Sequence, residues 1–147
     1  MYTFSFSDFD ELSNTQVYQI CKLRQDVFIL EQTCLYADLD DKDSLALHFS
    51  IEQDGKIITY ARFFPLGNFH TDYSSIGRFM VSNSHRNQKL AHKLMEYILQ
   101  IVDQAYKAPI KISAQTYLLD FYSQYGFVLV GDEYVEDGIP HCDMIRE

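Results

Sequence analysis

Ile76-Gly77-Arg78-Phe79-Met80-Val81-Ser82-Asn83-Ser84-His85-Arg86-Asn87-Gln88-Lys89-Leu90-Ala91-His92-Lys93-Leu94-Met95 reads as a strand that passes through a basic turn into a helix. The β-favouring run covers Ser75 to Ser82. Leu90, Ala91, Leu94, Met95, Ile98, Ile101, Val102 and Ala105 then recur on one stripe, which predicts a helix from Gln88 to Tyr106. The first amides of a helix lack intrahelical partners and lie at the positive end of its dipole, so such a junction is an anion site. Arg86, Lys89 and Lys93 concentrate positive charge there, against the trend of the chain: 12 Lys and Arg face 21 Asp and Glu, a net charge of -9. That balance excludes nucleic acid as a partner, because affinity for it comes from neutralising phosphates. It also requires any anionic ligand to be held by a local positive patch.

A second junction follows. Ile110 to Ala114 reads as a short strand after Pro109, and Thr116 to Tyr125 as a helix stopped by Gly126. The two strand-to-helix junctions fall near the carboxyl ends of what should be parallel neighbours, where a ligand cleft is expected.

The remaining segments fill in around this pair. Tyr2 to Phe6 alternates aromatic and small polar residues, as a half-buried strand does. Ser13 and Gln16 form a capping box for a helix from Asn14 to about Phe28. Glu31 to Ser44 is an acidic loop with a short helix. Leu45–Glu52 and Lys56–Pro65 form a hairpin across Asp54-Gly55, and Phe127–Tyr134 pairs with Ile139–Ile145 across Asp137-Gly138. The expected architecture is mixed α/β: a mixed sheet, antiparallel at its hairpins and parallel at the crossover, with helices on both faces. No linker or repeat interrupts residues 1–147, so one domain is expected, and 47% apolar residues suffice for its core.

No apolar run approaches the roughly 20 residues of a membrane span. Met1 to Phe6 lacks the basic start of a signal peptide, so a cytoplasmic location away from membranes is expected. Cys21, Cys34 and Cys142 leave an odd thiol without metal-ligand spacing, which suits buried reduced cysteines. Asp38, Asp40, Asp41 and Asp43 lack the glycine and terminal glutamate of a calcium loop, and His48, His70 and His92 form no ligand pattern, so no metal is expected. The acidic loop reads either as solvated or as an attractor of a cationic acceptor.

These motifs together resemble the GNAT family of N-acetyltransferases, in its ElaA-type branch, over nearly the whole chain. Arg86 to Ala91 is similar to the family's Arg/Gln-x-x-Gly-x-Gly/Ala pyrophosphate loop, with Lys89 where the first glycine is usual. Gln115 and Tyr122-Ser123-Gln124-Tyr125-Gly126-Phe127 match its late helix. The ElaA-like marks are Leu23 to Gln32, Tyr36 with the Asp-rich loop, Ile76-Gly77-Arg78, and Glu136 to His141. Glycine at position 89 would supply a positive φ or close backbone approach. A negative φ at Lys89, with its ammonium beside the phosphates, is the expectation here.

The resemblance implies the GNAT fold, a mostly antiparallel sheet with one splayed parallel pair. It implies transfer of an acetyl group from acetyl-CoA to a primary amine by direct attack, in a monomer or homodimer. The donor would lie along Phe79, Met80 and Val81 and near Gln115, with its pyrophosphate on the amides of Asn87, Gln88, Lys89, Leu90 and Ala91. An N–H near Val81 would stabilise the oxyanion, and Tyr122, packed against the donor, would protonate the leaving thiolate. Many relatives carry a glutamate base on the strand that here reads Ile76 to Val81, where no carboxylate stands. Glu31 and His141 are the candidate bases, and with Tyr36 and Arg78 they are the candidate acceptor contacts. Arg78 has two open roles, gripping a substrate carboxylate or pairing with the Asp-rich loop. A non-catalytic acyl-CoA-binding module on the same fold is the alternative reading.

Overall fold

The computed structural model describes residues 1–147 and contains one seven-stranded sheet. The strands are β1 (Tyr2–Asp8), β2 (Leu47–Gln53), β3 (Lys56–Phe64), β4 (Ser74–Val81), β5 (Ile110–Gln115), β6 (Val128–Glu136) and β7 (Ile139–Arg146), and the helices are α1 (Asn14–Arg24), α2 (Leu90–Ala105) and α3 (Leu119–Ser123). Spatial order is β1-β2-β3-β4-β5-β7-β6. Only β4 and β5 pair in parallel; the other neighbours are antiparallel. Both expected hairpin turns form, with positive φ at Asp54, Gly55, Asp137 and Gly138, as two-residue turns that match strand twist require.

Helices cover both faces. The amphipathic stripe of α2 buries Leu90, Leu94, Met95, Ile98, Leu99 and Val102 against Phe49, Ile51, Ile58, Ala61 and Phe63. Each such side chain contributes about 1.5–3 kcal/mol by leaving water. On the other face, Ile20 and Leu23 of α1 pack with Ile57, Tyr60 and Met80. The capping box at Ser13 and Gln16 is present. The first helix continues beyond the expected end at Phe28, as a π-helical turn over Gln25–Glu31. In contrast, the expected helix from Thr116 to Tyr125 is shorter: a 3-10 turn at Thr116–Leu118 leads into α3. Gly126, with φ 88°, lies beyond it.

Within the acidic loop Asp41 is exposed, but the other three aspartates are neither solvated nor open to an acceptor. Asp38, Asp40 and Asp43 instead interlock with three arginines. Arg24, 1% exposed, pairs with Asp38 at 2.8 Å and Asp43 at 2.7 Å. Arg62, 2% exposed, pairs with Asp40 at 2.6 Å and Asp43 at 2.9 Å. Arg78 Nε lies 2.8 Å from Asp38, and its Nη2 donates to Asp38 O. Three positive and three negative charges thus compensate one another, as buried ions require. Burial opposes the charge on Asp40 and Asp43, but hydrogen bonds and the arginine charges outweigh it and hold both carboxyls below their usual range. His48 completes the lattice by donating Nε2–H to Asp43 O and accepting from the Tyr60 hydroxyl.

This lattice shapes β4. Arg62 pairs with Gly77 and Tyr60 with Met80, so Arg78 and Phe79 together face the single residue Ala61. The bulge places Arg78 at φ 49°, a conformation that costs a non-glycine residue about 1–2 kcal/mol. Its ion pairs and the Tyr36 ring, 5.6 Å from the guanidinium carbon, hold it there. A bulge bends its strand and adds twist, and this one lies within the part of β4 that follows its last pair with β5, Ser75↔Lys111.

Asp43→Asn should destabilise the protein by about 3 kcal/mol in urea unfolding, because Arg24 and Arg62 lose a shared buried counter-charge. Asp40 and Asp43 have folded pKa values below the unfolded value of about 3.9, so their stabilisation is complete above that pH and lost as pH falls below it. Arg78→Gly and Arg78→Ala lose the same ion pairs, but alanine also bears the left-handed strain. The alanine variant should be the less stable by about 1 kcal/mol, read as a difference in urea midpoint.

Candidate active site

Pairing between β4 and β5 is confined to Ser74↔Ile110 and Ser75↔Lys111. From Ile76 to Val81, β4 has no β5 partner, and the strands enclose a gap. Ser82 N–H donates to Ile58 O on β3. Peptide groups along a strand alternate in direction, so the polar groups of Phe79 and Val81 face the gap. Met80 does not: it pairs with Tyr60, and its side chain is buried under α1. Arg86 reaches Val81 O with Nη2 at 3.1 Å and Nε at 3.4 Å. The same guanidinium grips both carboxylate oxygens of Glu31, with Nη2 2.7 Å from Oε1.

Beside the gap stands the N-terminus of α2. No side chain caps it, whereas Ser13 caps α1. Its first backbone bond runs from Lys93 N–H to Lys89 O, so the amides of Leu90, Ala91 and His92 have no intrahelical acceptor. Asn87 has φ 64° and Lys89 φ 59°. The expected negative φ at Lys89 is therefore incorrect: lysine occupies the left-handed conformation that suits glycine. Helix α2 accordingly begins at Leu90 rather than Gln88. Gln88 accepts a hydrogen bond from the Tyr2 hydroxyl, and the Lys93 ammonium lies 4.9 Å above the Tyr2 ring. Strand β1 thereby braces the basic turn.

Tyr122 on α3 is 7% exposed and contacts Phe79 across the gap, with ring centroids 6.3 Å apart. Phe121 and Phe127 complete the aromatic cluster. Burial pushes the Tyr122 phenol well above its ordinary pKa, so it carries its proton throughout the neutral range. At the end of β5, Gln115 donates to Gln32 Oε1 at 3.4 Å and pairs with His141 on β7. Cys34 Sγ–H donates to Asp137 O. The segment following the π-helical turn therefore reaches across to the β6–β7 hairpin, bordering the gap with Glu31, Gln32, Gln115 and His141. His141 is buried, with Nδ1 2.7 Å from Ile139 O. A carbonyl only accepts, so Nδ1 carries the proton and Nε2 is the basic nitrogen of the neutral ring. Glu136 lies 3.7 Å from Nε2.

Arg78 and Tyr36 belong to the arginine–aspartate lattice, and Asp38 carbonyl and carboxylate oxygens occupy the guanidinium. Of the two roles open to Arg78, the loop pairing is the one observed. The sequence reading does not single out Arg24 and Arg62 as partners of the acidic loop. The available signal was a charged residue on an apolar helix stripe and another inside an apolar strand, both facing a chain with Asp at 38, 40 and 43.

An acetyltransferase (GNAT) domain model matches residues 11–147. The chain belongs to the GNAT family. Protein ElaA of Escherichia coli strain K12 is 35% identical over 140 residues, 93% of this chain and 91% of ElaA. The crystal structure of Escherichia coli ElaA aligns with a TM-score of 0.92 at 33% identity over 100% of both chains. An acyl-CoA N-acyltransferase from Pseudomonas aeruginosa aligns with a TM-score of 0.95, also at 33% identity over 100% of both chains. The mixed sheet with its parted parallel pair is thus a GNAT fold, and acyl transfer from an acyl-CoA is the chemistry of this family. Lys89 holds the glycine-like left-handed conformation within this loop.

Lys89→Gly should raise stability by up to about 1 kcal/mol, since relief of left-handed strain outweighs the added freedom of the unfolded chain. Lys89 is exposed, so little packing is lost. A lower thermal midpoint for this variant would contradict the strain argument.

Proposed function

We propose that this chain transfers an acetyl group from acetyl-CoA to a primary amine by direct attack. The observation that carries the proposal is the gap between β4 and β5, with inward-facing strand groups on one side and the uncapped amides of α2 at its end. An extended amide-bearing chain ending in a diphosphate matches both features: it adds to β4 as a strand would, and its anion meets free N–H groups and a helix dipole. These residues fit coenzyme A, which supplies a thioester as the source of the acyl group.

Phe79 and Val81 would hold the pantetheine arm through their gap-facing backbone groups, while Leu90, Ala91 and His92 offer their amides to the diphosphate. The Val81 N–H, which faces the gap, would donate to the oxyanion that develops on the thioester carbonyl, an interaction that gains strength away from water. Tyr122 keeps its proton under burial and delivers it to the departing sulfur. Proton removal from the amine falls to His141, through its basic Nε2, or to Glu31. His141 is already oriented by Ile139 O, whereas Glu31 is engaged by Arg86. One observation favours a silent acyl-CoA-binding module instead: β4 carries no carboxylate.

Thiol release from acetyl-CoA should depend on added amine. Tyr122→Phe should lower kcat by about 10²-fold or more while CoA affinity is retained. CoA binding without turnover for any member of a broad amine panel would support the silent module.

A further inference from the structure

Arg86 touches both halves of the proposed site. It covers Val81 O, a gap-facing acceptor that the donor arm would use, and it clamps Glu31 at the end of the π-helical turn. Both partners are accessible: the Arg86 side chain is 37% exposed and that of Glu31 is 34% exposed. Such a pair is weak, about fivefold or less in an equilibrium constant, and is exchanged without disturbing the core. Arg86 stands four residues before Leu90, the first residue of α2, so a diphosphate seated on its amides would compete for the guanidinium with more charge than one carboxylate carries. Glu31 also lines a hollow of about 540 Å³ with Leu23, Asp26, Val27, Leu30 and Ser82 to Ser84.

Charge at this end of the gap is one-sided. Arg24, Arg62 and Arg78 are each committed to aspartates of the acidic loop. Arg86 stands beside the mouth, with Lys89 and Lys93 at the start of α2, and the diphosphate would draw Arg86 away from Glu31. Glu31 is then left without its arginine, while Glu136 stands 3.7 Å from His141 Nε2.

We infer that Arg86 and Glu31 form an exchangeable latch: donor binding takes Arg86 from Glu31, and the freed carboxylate anchors a cationic acceptor of the alkyl diamine class. The inference rests on the acetyl-CoA reading given above. Glu31 is here a positioning residue, because it holds the acceptor's distal ammonium rather than the reacting nitrogen. The order of binding follows, since the acceptor anchor exists only once the donor has engaged Arg86.

Titration calorimetry tests both halves. CoA binding to the wild-type protein comes first, and its absence would overturn the acetyl-CoA reading itself. Given that binding, Glu31→Gln should tighten CoA by about two- to fivefold, because the competitor for Arg86 is gone; unchanged or weaker CoA binding would overturn the latch. The wild-type CoA complex should take up 1,4-diaminobutane at least tenfold more tightly than 4-aminobutyrate. This preference should vanish in Glu31→Gln and partly return in Glu31→Asp. Equal affinity for the two amines, binding of neither, or a preference that survives Glu31→Gln would overturn the acceptor assignment.

Discussion

Two strands that share hydrogen bonds over two residue pairs and then part are the constraint on which this molecule turns. An open edge inside a sheet is costly unless its peptide groups find partners. Here the unpaired stretch of β4 carries a bulge, and the bulge is held by charge. Arg78 adopts a left-handed conformation three residues beyond the last β4–β5 pair at Ser75, and Asp38 and Asp40 fix its side chain. Arg24 and Arg62 then fix the aspartates. The lattice is weak evidence for net stability, since paired buried ions roughly offset their own desolvation. Its consequence is geometric: it sets where β4 bends, and so where a ligand can enter.

The helix termini show the same division between structure and site. Helix α1 satisfies its first amides with a capping box, whereas α2 leaves its own open behind two residues of positive φ. An uncapped N-terminus forgoes about 1 kcal/mol that a cap would contribute. That sacrifice is intelligible where an anion is to be bound. Tyr122 follows a parallel logic. Its burial among Phe79, Phe121 and Phe127 raises the phenol's pKa, so the phenol keeps its proton at neutral pH.

The frame of this fold was legible because it rests on periodicity. The α2 stripe, the Asp-Gly hairpin turns and the strand-to-helix junctions each have local signals, and their order dictates a mixed sheet. What escaped was non-local. Arg24 and Arg62 gain their meaning from aspartates 14 to 22 positions away, and no local pattern encodes that pairing. The φ of Lys89 was misjudged because lysine disfavours the left-handed region; the turn imposes it regardless, as tertiary context overrides propensity. The shortness of α3 and the π-helical turn after Arg24 likewise depend on packing against the sheet. In the site, Tyr122 and the gap-facing strand groups could be placed by motif and alternation, whereas the engagement of Glu31 by Arg86 could not.

Amide hydrogen exchange of the protein with and without CoA tests the central claim most directly. The account predicts slowed exchange concentrated at Phe79 and Val81 on the open edge of β4 and at Leu90, Ala91 and His92 on α2, with β2 and β7 unaffected. Exchange that is unchanged at those five amides in a CoA-saturated sample would place the ligand elsewhere and contradict the account.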